Sequence, residues 1–257
     1  MNIFGNLTRE GLEDSVDRVG GPVIIDSGVH TGTIKMAYAS KSTGGAQAVN
    51  LVIAIGNQEY KETIYVTSKS GLNYYQDKSD PNKKQPMPGF DIVDHLCLVT
   101  TGQSLKDQVI EDKVILLFDF ETKRDMPTNV PVLTGLLGQP CKLGIVRSTV
   151  DVTKKDTDGI YRATGAVKDE NNIDKVFQVE TDRTVPEILA GLAVAGTMEK
   201  WTARNKGVTR VKAKGAEGNT GAPGLPGTKP GAPSGLFAAA NQVASAPVAA
   251  SSGLFGR

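Results

Sequence analysis

Little in this chain invites catalysis. Histidine occurs twice, at His30 and His95, and cysteine twice, at Cys97 and Cys141. A zinc site of ordinary spacing is not expected, because on a helix His95 and Cys97 point about 200° apart. Both cysteines lie in apolar runs, Leu96-Cys97-Leu98 and Cys141-Lys142-Leu143. They read as buried thiols suited to a reducing cytosol, not as a disulfide framework or a nucleophile. The Gly20-Gly21 and Gly44-Gly45 pairs lack a following Lys-Ser/Thr, so no phosphate-binding loop is expected. No apolar run approaches the roughly 20 residues of a membrane span. Met1 to Asn6 has neither the charged start nor the apolar stretch of a secretory leader. A non-enzymatic, cytoplasmic protein is therefore expected, with no cofactor, no metal and no membrane partner. Two other classes stay open. Asp91, Asp94, Asp107, Glu111, Asp112 and Asp119 would suit a two-metal nuclease, although scattered carboxylates are ordinarily surface. A structural or virion interaction protein would suit the composition of the C-terminal region.

Net charge of either sign is also missing: 29 Lys and Arg stand against 28 Asp and Glu. The distribution is uneven. Residues 198–214 carry Lys200, Arg204, Lys206, Arg210, Lys212 and Lys214 against Glu199 alone. Such a segment is either a solvated helix end, favoured by the helix dipole, or a phosphate-contacting element. From Ala216 the composition shifts to Gly, Ala, Pro, Ser, Asn, Thr and Val. Residues 215–257 hold too few large apolar side chains to offset ordering, so a disordered Gly/Ala/Pro-rich tail is expected after a single domain over residues 1–214. Within that tail Ser234-Gly235-Leu236-Phe237 recurs as Ser252-Gly253-Leu254-Phe255. The repeat is either compositional chance or a pair of apolar anchors (Leu236, Phe237, Leu254 and Phe255) for a replication partner or a neighbouring subunit.

What the chain has in quantity is strand pattern. Residues alternate from Val29 through Ile34, Met36 and Tyr38. Val49–Ile55 and Thr63–Thr67 follow after turn signals, then Val114–Phe120, Lys142–Val152 and Tyr161–Val167, the last two around a polar tip at Lys154–Gly159. Three helices are predicted. One covers Gly89–Val99. A short one covers Val130–Leu137, with Pro131 in its first turn. The third is capped by Thr184 with Glu187 three residues on, and its apolar face is expected to run through Ile188, Leu189, Leu192 and Ala195 to Trp201. The fold expected is mainly β: an OB-fold-like barrel with inserted helices and a C-terminal basic helix.

Aromatic residues are only 5% of the chain, so their grouping matters. Four of six tyrosines fall at Tyr60, Tyr65, Tyr74 and Tyr75, among Lys61, Lys69, Lys78, Lys83, Lys84 and Phe90. Single strands are held by aromatic rings that stack on bases and cations that track phosphates. Lys35 and Tyr38 extend the group, and Arg204, Lys206 and Arg210 are the candidate phosphate contacts. Neighbours Tyr74 and Tyr75 face opposite sides of a strand, so one stacks and the other packs.

Several short stretches, in order, resemble single-stranded DNA-binding proteins encoded by tailed bacteriophages: Tyr65-Val66-Thr67, Gly71-Leu72-Asn73-Tyr74-Tyr75 with Lys78, Pro88-Gly89-Phe90, Leu96 to Thr101, Asn129 to Leu133, and Arg204-Asn205-Lys206-Gly207. The resemblance spans roughly residues 20–212. It implies an OB-fold, sequence-independent binding of single strands during phage replication or recombination in the host bacterial cytoplasm, and a role for Tyr74, Tyr75, Lys78 and Phe90. One departure stands out. Many such proteins end in an acidic tail that recruits replication partners, whereas this chain ends Leu254-Phe255-Gly256-Arg257.

Overall fold

A computed structural model describes residues 24–80, 82–119 and 122–214. The expected disordered tail and its two Ser-Gly-Leu-Phe repeats, with Leu236, Phe237, Leu254 and Phe255, lie outside the described residues. Strands take 49% of what is described, so the body is mainly β. No helix among these residues is long and apolar enough to cross a membrane.

Strands β1 (Gly28–Lys41), β2 (Gln47–Ile55) and β3 (Gln58–Tyr65) form an antiparallel meander. A small hairpin of β4 (Tyr74–Gln76) and β5 (Lys84–Pro86) follows, then helix α1 (Pro88–Thr101). A longer hairpin pairs β6 (Ile110–Asp119) with β7 (Arg124–Leu133). The longest ladder joins β8 (Pro140–Lys155) to β9 (Tyr161–Phe177). Helices α2 (Val185–Leu189) and α3 (Thr197–Asn205) precede a last strand, β10 (Thr209–Val211), which runs parallel to β8.

Strand β1 organises the sheet. One edge takes β2; the other takes β8 over Gly28–Thr33 and then touches β7 at Tyr38–Val132. The sheet does not close: among the described residues no ladder joins β3 to β9, and the barrel expected from the sequence is met only as a large, mainly antiparallel sheet. A side chain spans that gap. Glu62 of β3 accepts a hydrogen bond from the Ile173 amide of β9 at 3.0 Å and another from Tyr60 Oη at 2.5 Å. Burial raises the Glu62 pKa despite these donors.

The core fills the inner face. Ile34, Ala37, Leu51, Ile53, Leu143 and Ile145 meet Val93, Leu96 and Cys97 of α1, all essentially without exposure. Burial pushes both thiols, Cys97 and Cys141, up to about 12, so neither is a ready nucleophile. Gly89 is what lets α1 reach the sheet: a Cβ there would lie 2.1 Å from the Tyr65 carbonyl oxygen. A second cluster sets Trp201 of α3 edge-on to Phe177, with ring centroids 6.3 Å apart.

Three sequence expectations are corrected. The β1 alternation does not run unbroken: a bulge between Ile34 and Met36 leaves Lys35 unpaired, so Ile34 and Ala37 both face in while Met36 and Tyr38 turn out. The helix expected over Val130–Leu137 is instead the end of β7 and a one-turn 3-10 segment at Thr134–Leu136. Val130 and Val132 alternate with Pro131 and are buried against the sheet, and that period of two outweighs the helix-start signal of proline. The third helix is two. Its predicted capping box at Thr184 and Glu187 is present, but the chain breaks at Gly191, where φ is 66°, and Leu189 is 81% exposed instead of continuing an apolar face. Glu187 also accepts from the Gly196 and Thr197 amides at 2.9 and 2.8 Å, so one carboxylate ties the starts of both α2 and α3. Burial alone would raise its pKa; the donors from Thr184, Gly196 and Thr197 hold it at about 2.

Candidate functional site

The ladder registers fix which side chains share the outer face of β1–β3. Tyr38, Asn50 and Thr63 form one row, Met36, Val52 and Lys61 the next, and Ser40, Ala48 and Tyr65 the third. Asn50 is held by its neighbours: its amide donates to Ser40 Oγ at 2.8 Å and its carbonyl accepts from Thr63 Oγ1 at 2.7 Å. That network leaves a flat polar centre. Tyr38 on β1 and the half-exposed Tyr65 on β3 flank it two strands apart, roughly 10 Å. The Tyr38 ring is only partly open, and that burial raises its hydroxyl pKa. Lys61 is exposed and makes only a surface pair with Glu59 at 3.3 Å. Lys35 projects from the bulge of β1.

The chain after Tyr65 carries the remaining tyrosines. Lys69 lies along the β1–β2 turn, where a Cβ at Gly44 would meet its stem at 3.4 Å. The β4–β5 hairpin is tied to the start of α1 by the Met87 amide, which donates to the Asn73 carbonyl at 2.8 Å. Tyr74 and Tyr75 face opposite sides of it, as two neighbours on a strand must. The Lys84 ammonium sits 4.4 Å above the Tyr74 ring, a cation–π contact. Tyr75 is 54% exposed. Lys78 and Lys83 lie exposed on the connecting turn, where Lys83 reaches Asp80 at 3.8 Å.

Other candidates are placed elsewhere. Tyr60 is 5% exposed with its hydroxyl on Glu62, so its ring offers no free face, and Phe90 is partly buried against the core from α1. Arg210 of β10 is engaged by Asp174 at 3.1 Å and by Asn205 at 2.7 Å. Asp174 in turn accepts from the Trp201 indole at 2.6 Å, so Arg210 braces α3. Arg204 and Lys206 are exposed, but the adjoining Gly207 binds the Ser27 carbonyl. Ser27 directly precedes β1 and stands eleven residues before Tyr38, up to about 35 Å away. The basic segment and the aromatic face are therefore at opposite ends of that strand.

Sequence reasoning missed the Asn50–Thr63 pair, which no motif marks, and the outer end of β8–β9. There Tyr161 is 67% exposed opposite Lys155, beside Lys154. The signal was Lys154-Lys155 followed by a lone tyrosine across the turn. Arg162, by contrast, is paired to Asp156 and Asp158 at 2.6 and 2.7 Å. Among the described residues no three His, Cys, Asp or Glu side chains gather as a cation site. No protein-family model matches the chain, and no curated protein matches its sequence.

Proposed function

We propose that the protein binds single-stranded DNA, without sequence preference and without chemistry on it, across the outer face of β1–β3 and the β4–β5 hairpin. The observation that carries this reading is the clustering of accessible rings and cations on one contiguous stretch: Tyr65 and Lys61 on β3, then Lys69, Tyr75 and the Tyr74–Lys84 pair. Exposed rings beside lysines are what unpaired bases and their phosphates require. Duplex bases have no free face for such rings.

The order of elements supports an OB-fold reading: a meander β1–β2–β3, a helix, then β8 paired to β1 and β9 facing β3 across Glu62. On that reading β6–β7 is an insertion, and the β8–β9 tip with Tyr161 and Lys155 flanks the binding face. The resemblance to phage-encoded single-stranded DNA-binding proteins points the same way. It would place the protein in replication or recombination in a bacterial cytoplasm, with replication proteins or neighbouring subunits as partners of the tail.

The deciding experiment is fluorescence anisotropy with a short oligo-dT and its duplex at matched salt. Tight, salt-sensitive binding of the single strand and weak binding of the duplex are expected. Equal affinity for both would overturn the reading.

A further inference from the structure

The connector between α2 and α3 holds aliphatic side chains outside the core. Glu187 draws the Gly196 and Thr197 amides onto its carboxylate, and the Leu192 amide donates to the Glu187 carbonyl at 3.0 Å. Arg183 donates to the Leu192 carbonyl at 2.9 Å. The backbone is thus pinned, yet Leu189, Leu192 and Val194 face solvent, the last two 50% and 78% exposed. Aliphatic side chains grouped on a fixed, exposed backbone mark an interaction site.

Beside the connector lies a cavity of about 590 Å³. Helix α1 lines it with Ile92 and His95, β9 with Ile173 and Val176, α2 with Pro186, and the connector with Leu192. Its volume falls within the roughly 300–1,000 Å³ of pockets that seat small, mostly apolar ligands. Burial lowers the His95 pKa, so that part of the wall is uncharged at neutral pH. The carboxylates on the wall are engaged: Glu187 by the helix amides, Asp174 by Trp201 and Arg210, while Asp91 faces the Lys175 ammonium. The space between them suits an uncharged, apolar occupant.

The chain itself supplies one. The leucines and phenylalanines of residues 215–257 are Leu225 and the pairs in Ser234-Gly235-Leu236-Phe237 and Ser252-Gly253-Leu254-Phe255, and neither repeat contains a charge. Reach fits as well. The Lys214 amide is anchored on the Asp151 carboxylate at 2.8 Å, and Asp151 pairs with Val167 of β9. From Val167 to Ile173 on the cavity wall is six residues of strand, about 20 Å. From Lys214 to Leu236 is 22 residues, and a Gly-rich linker of that length spans about 25 Å on average. A linker matched to its span gives the highest effective concentration, and a second copy of the pair adds to it. We propose that a Leu-Phe pair from the chain's own 215–257 segment seats in the cavity between α1, β9 and α2. A partner of the tail must then displace it. This docking does not depend on DNA binding.

The test is isoleucine methyl NMR on the full chain without DNA. A seated phenylalanine ring shifts the methyl signals of Ile92 and Ile173, and Ile160, at the β8–β9 turn, is the reference. Phe237→Ala/Phe255→Ala moves the Ile92 and Ile173 signals and leaves Ile160 in place. Either single substitution moves them less, since the other copy takes over. In a Leu192→Lys chain, whose wall no longer suits an apolar guest, the same tail substitutions move nothing. Leu192 is half exposed, so that lysine is carried without unfolding. The wild-type signals hold their positions over a dilution of about 50-fold, as an intramolecular contact requires. Ile92 and Ile173 signals that ignore the double substitution overturn the proposal. So does a shift of equal size at Ile160, or tail dependence that persists in Leu192→Lys. Signals that drift on dilution to the positions of the double variant make a second copy's tail the occupant and equally overturn it.

Discussion

The hairpin at 74–86 and the hairpin at 110–133 hang from one sheet and offer opposite surfaces. The first presents Tyr75 and a Tyr74 ring carrying the Lys84 ammonium; the second presents Val114, Leu116 and Phe118. The first is closed at its base by the Met87 amide on the Asn73 carbonyl, and the second meets β1 at Val132. Only the end of β7, Val130, Val132 and Leu133, enters the core; the rest of the two hairpins is exposed or half-buried. Rings with cations suit a polyanion with free base faces; an apolar row that carries no cation does not. The comparison teaches that exposed rings paired with cations and an exposed apolar row without them need not serve one ligand.

The largest expected effect breaks the two hairpins apart functionally. Replacing Tyr65 and Tyr75 by alanine together costs about 2–6 kcal/mol of affinity for a short oligo-dT, at about 1–3 kcal/mol per stacked base. Leu116→Lys leaves binding of the same oligonucleotide unchanged. Comparable losses in the two proteins would erase the distinction.

The next effect concerns the body that holds both hairpins. Glu187→Ala removes donor–acceptor contacts at the starts of α2 and α3 and lowers unfolding stability by about 2–3 kcal/mol, with DNA binding kept below the melt. The wild-type carboxyl sits at about 2 in the folded chain, below its value when unfolded. Its stabilisation is therefore complete above the unfolded value and is lost as pH falls from about 5 toward 2. Urea midpoints at pH 6 and pH 3 check this: the wild type drops further than Glu187→Gln.

Two smaller effects sharpen which cations face a ligand. Arg210→Gln costs about 1 kcal/mol of stability through Asp174 and Asn205 and leaves the salt slope of binding alone. Lys84→Gln does the reverse, flattening that slope by about 0.7 without moving the melt. An unchanged slope in Lys84→Gln would assign the 74–86 hairpin to solvent.

Much of the sheet was legible because alternation of apolar residues is a local property. Strands β2 and β8 and helix α1 stand where periodicity puts them, β9 starts as expected at Tyr161 but runs on past Val167 to Phe177, and Thr184 caps as its spacing to Glu187 demands. The misreadings have one origin: a local signal opposed by a distant partner. Pro131 opens helices, yet Val130 and Val132 pair with Lys113 and Glu111 of β6. The apolar positions from Ile188 to Trp201 fit one helix, yet Glu187 draws Gly196 and Thr197 back onto itself. The bulge at Lys35 is set by how Ile34 and Ala37 meet Ile53 and Leu51 of β2, which no window of β1 contains. Site residues followed the same rule. Tyr65, Tyr75 and Lys84 were legible as a cluster, but the burial of Tyr60 depends on Glu62 reaching β9, and the engagement of Arg210 depends on Asp174.

The seam between β3 and β9 has a mechanical consequence. A backbone ladder opens rung by rung, with each rung supporting the next. Glu62 is a single latch, released and refastened in one step. With Glu62 released, β3 keeps its ladder to β2 and the burial of Tyr60 and Ile64, while β8 and β9 stay zipped together. The amides of β9 around Ile173 should therefore exchange faster than those of β8 around Ile145, in proportion to how often the latch is open.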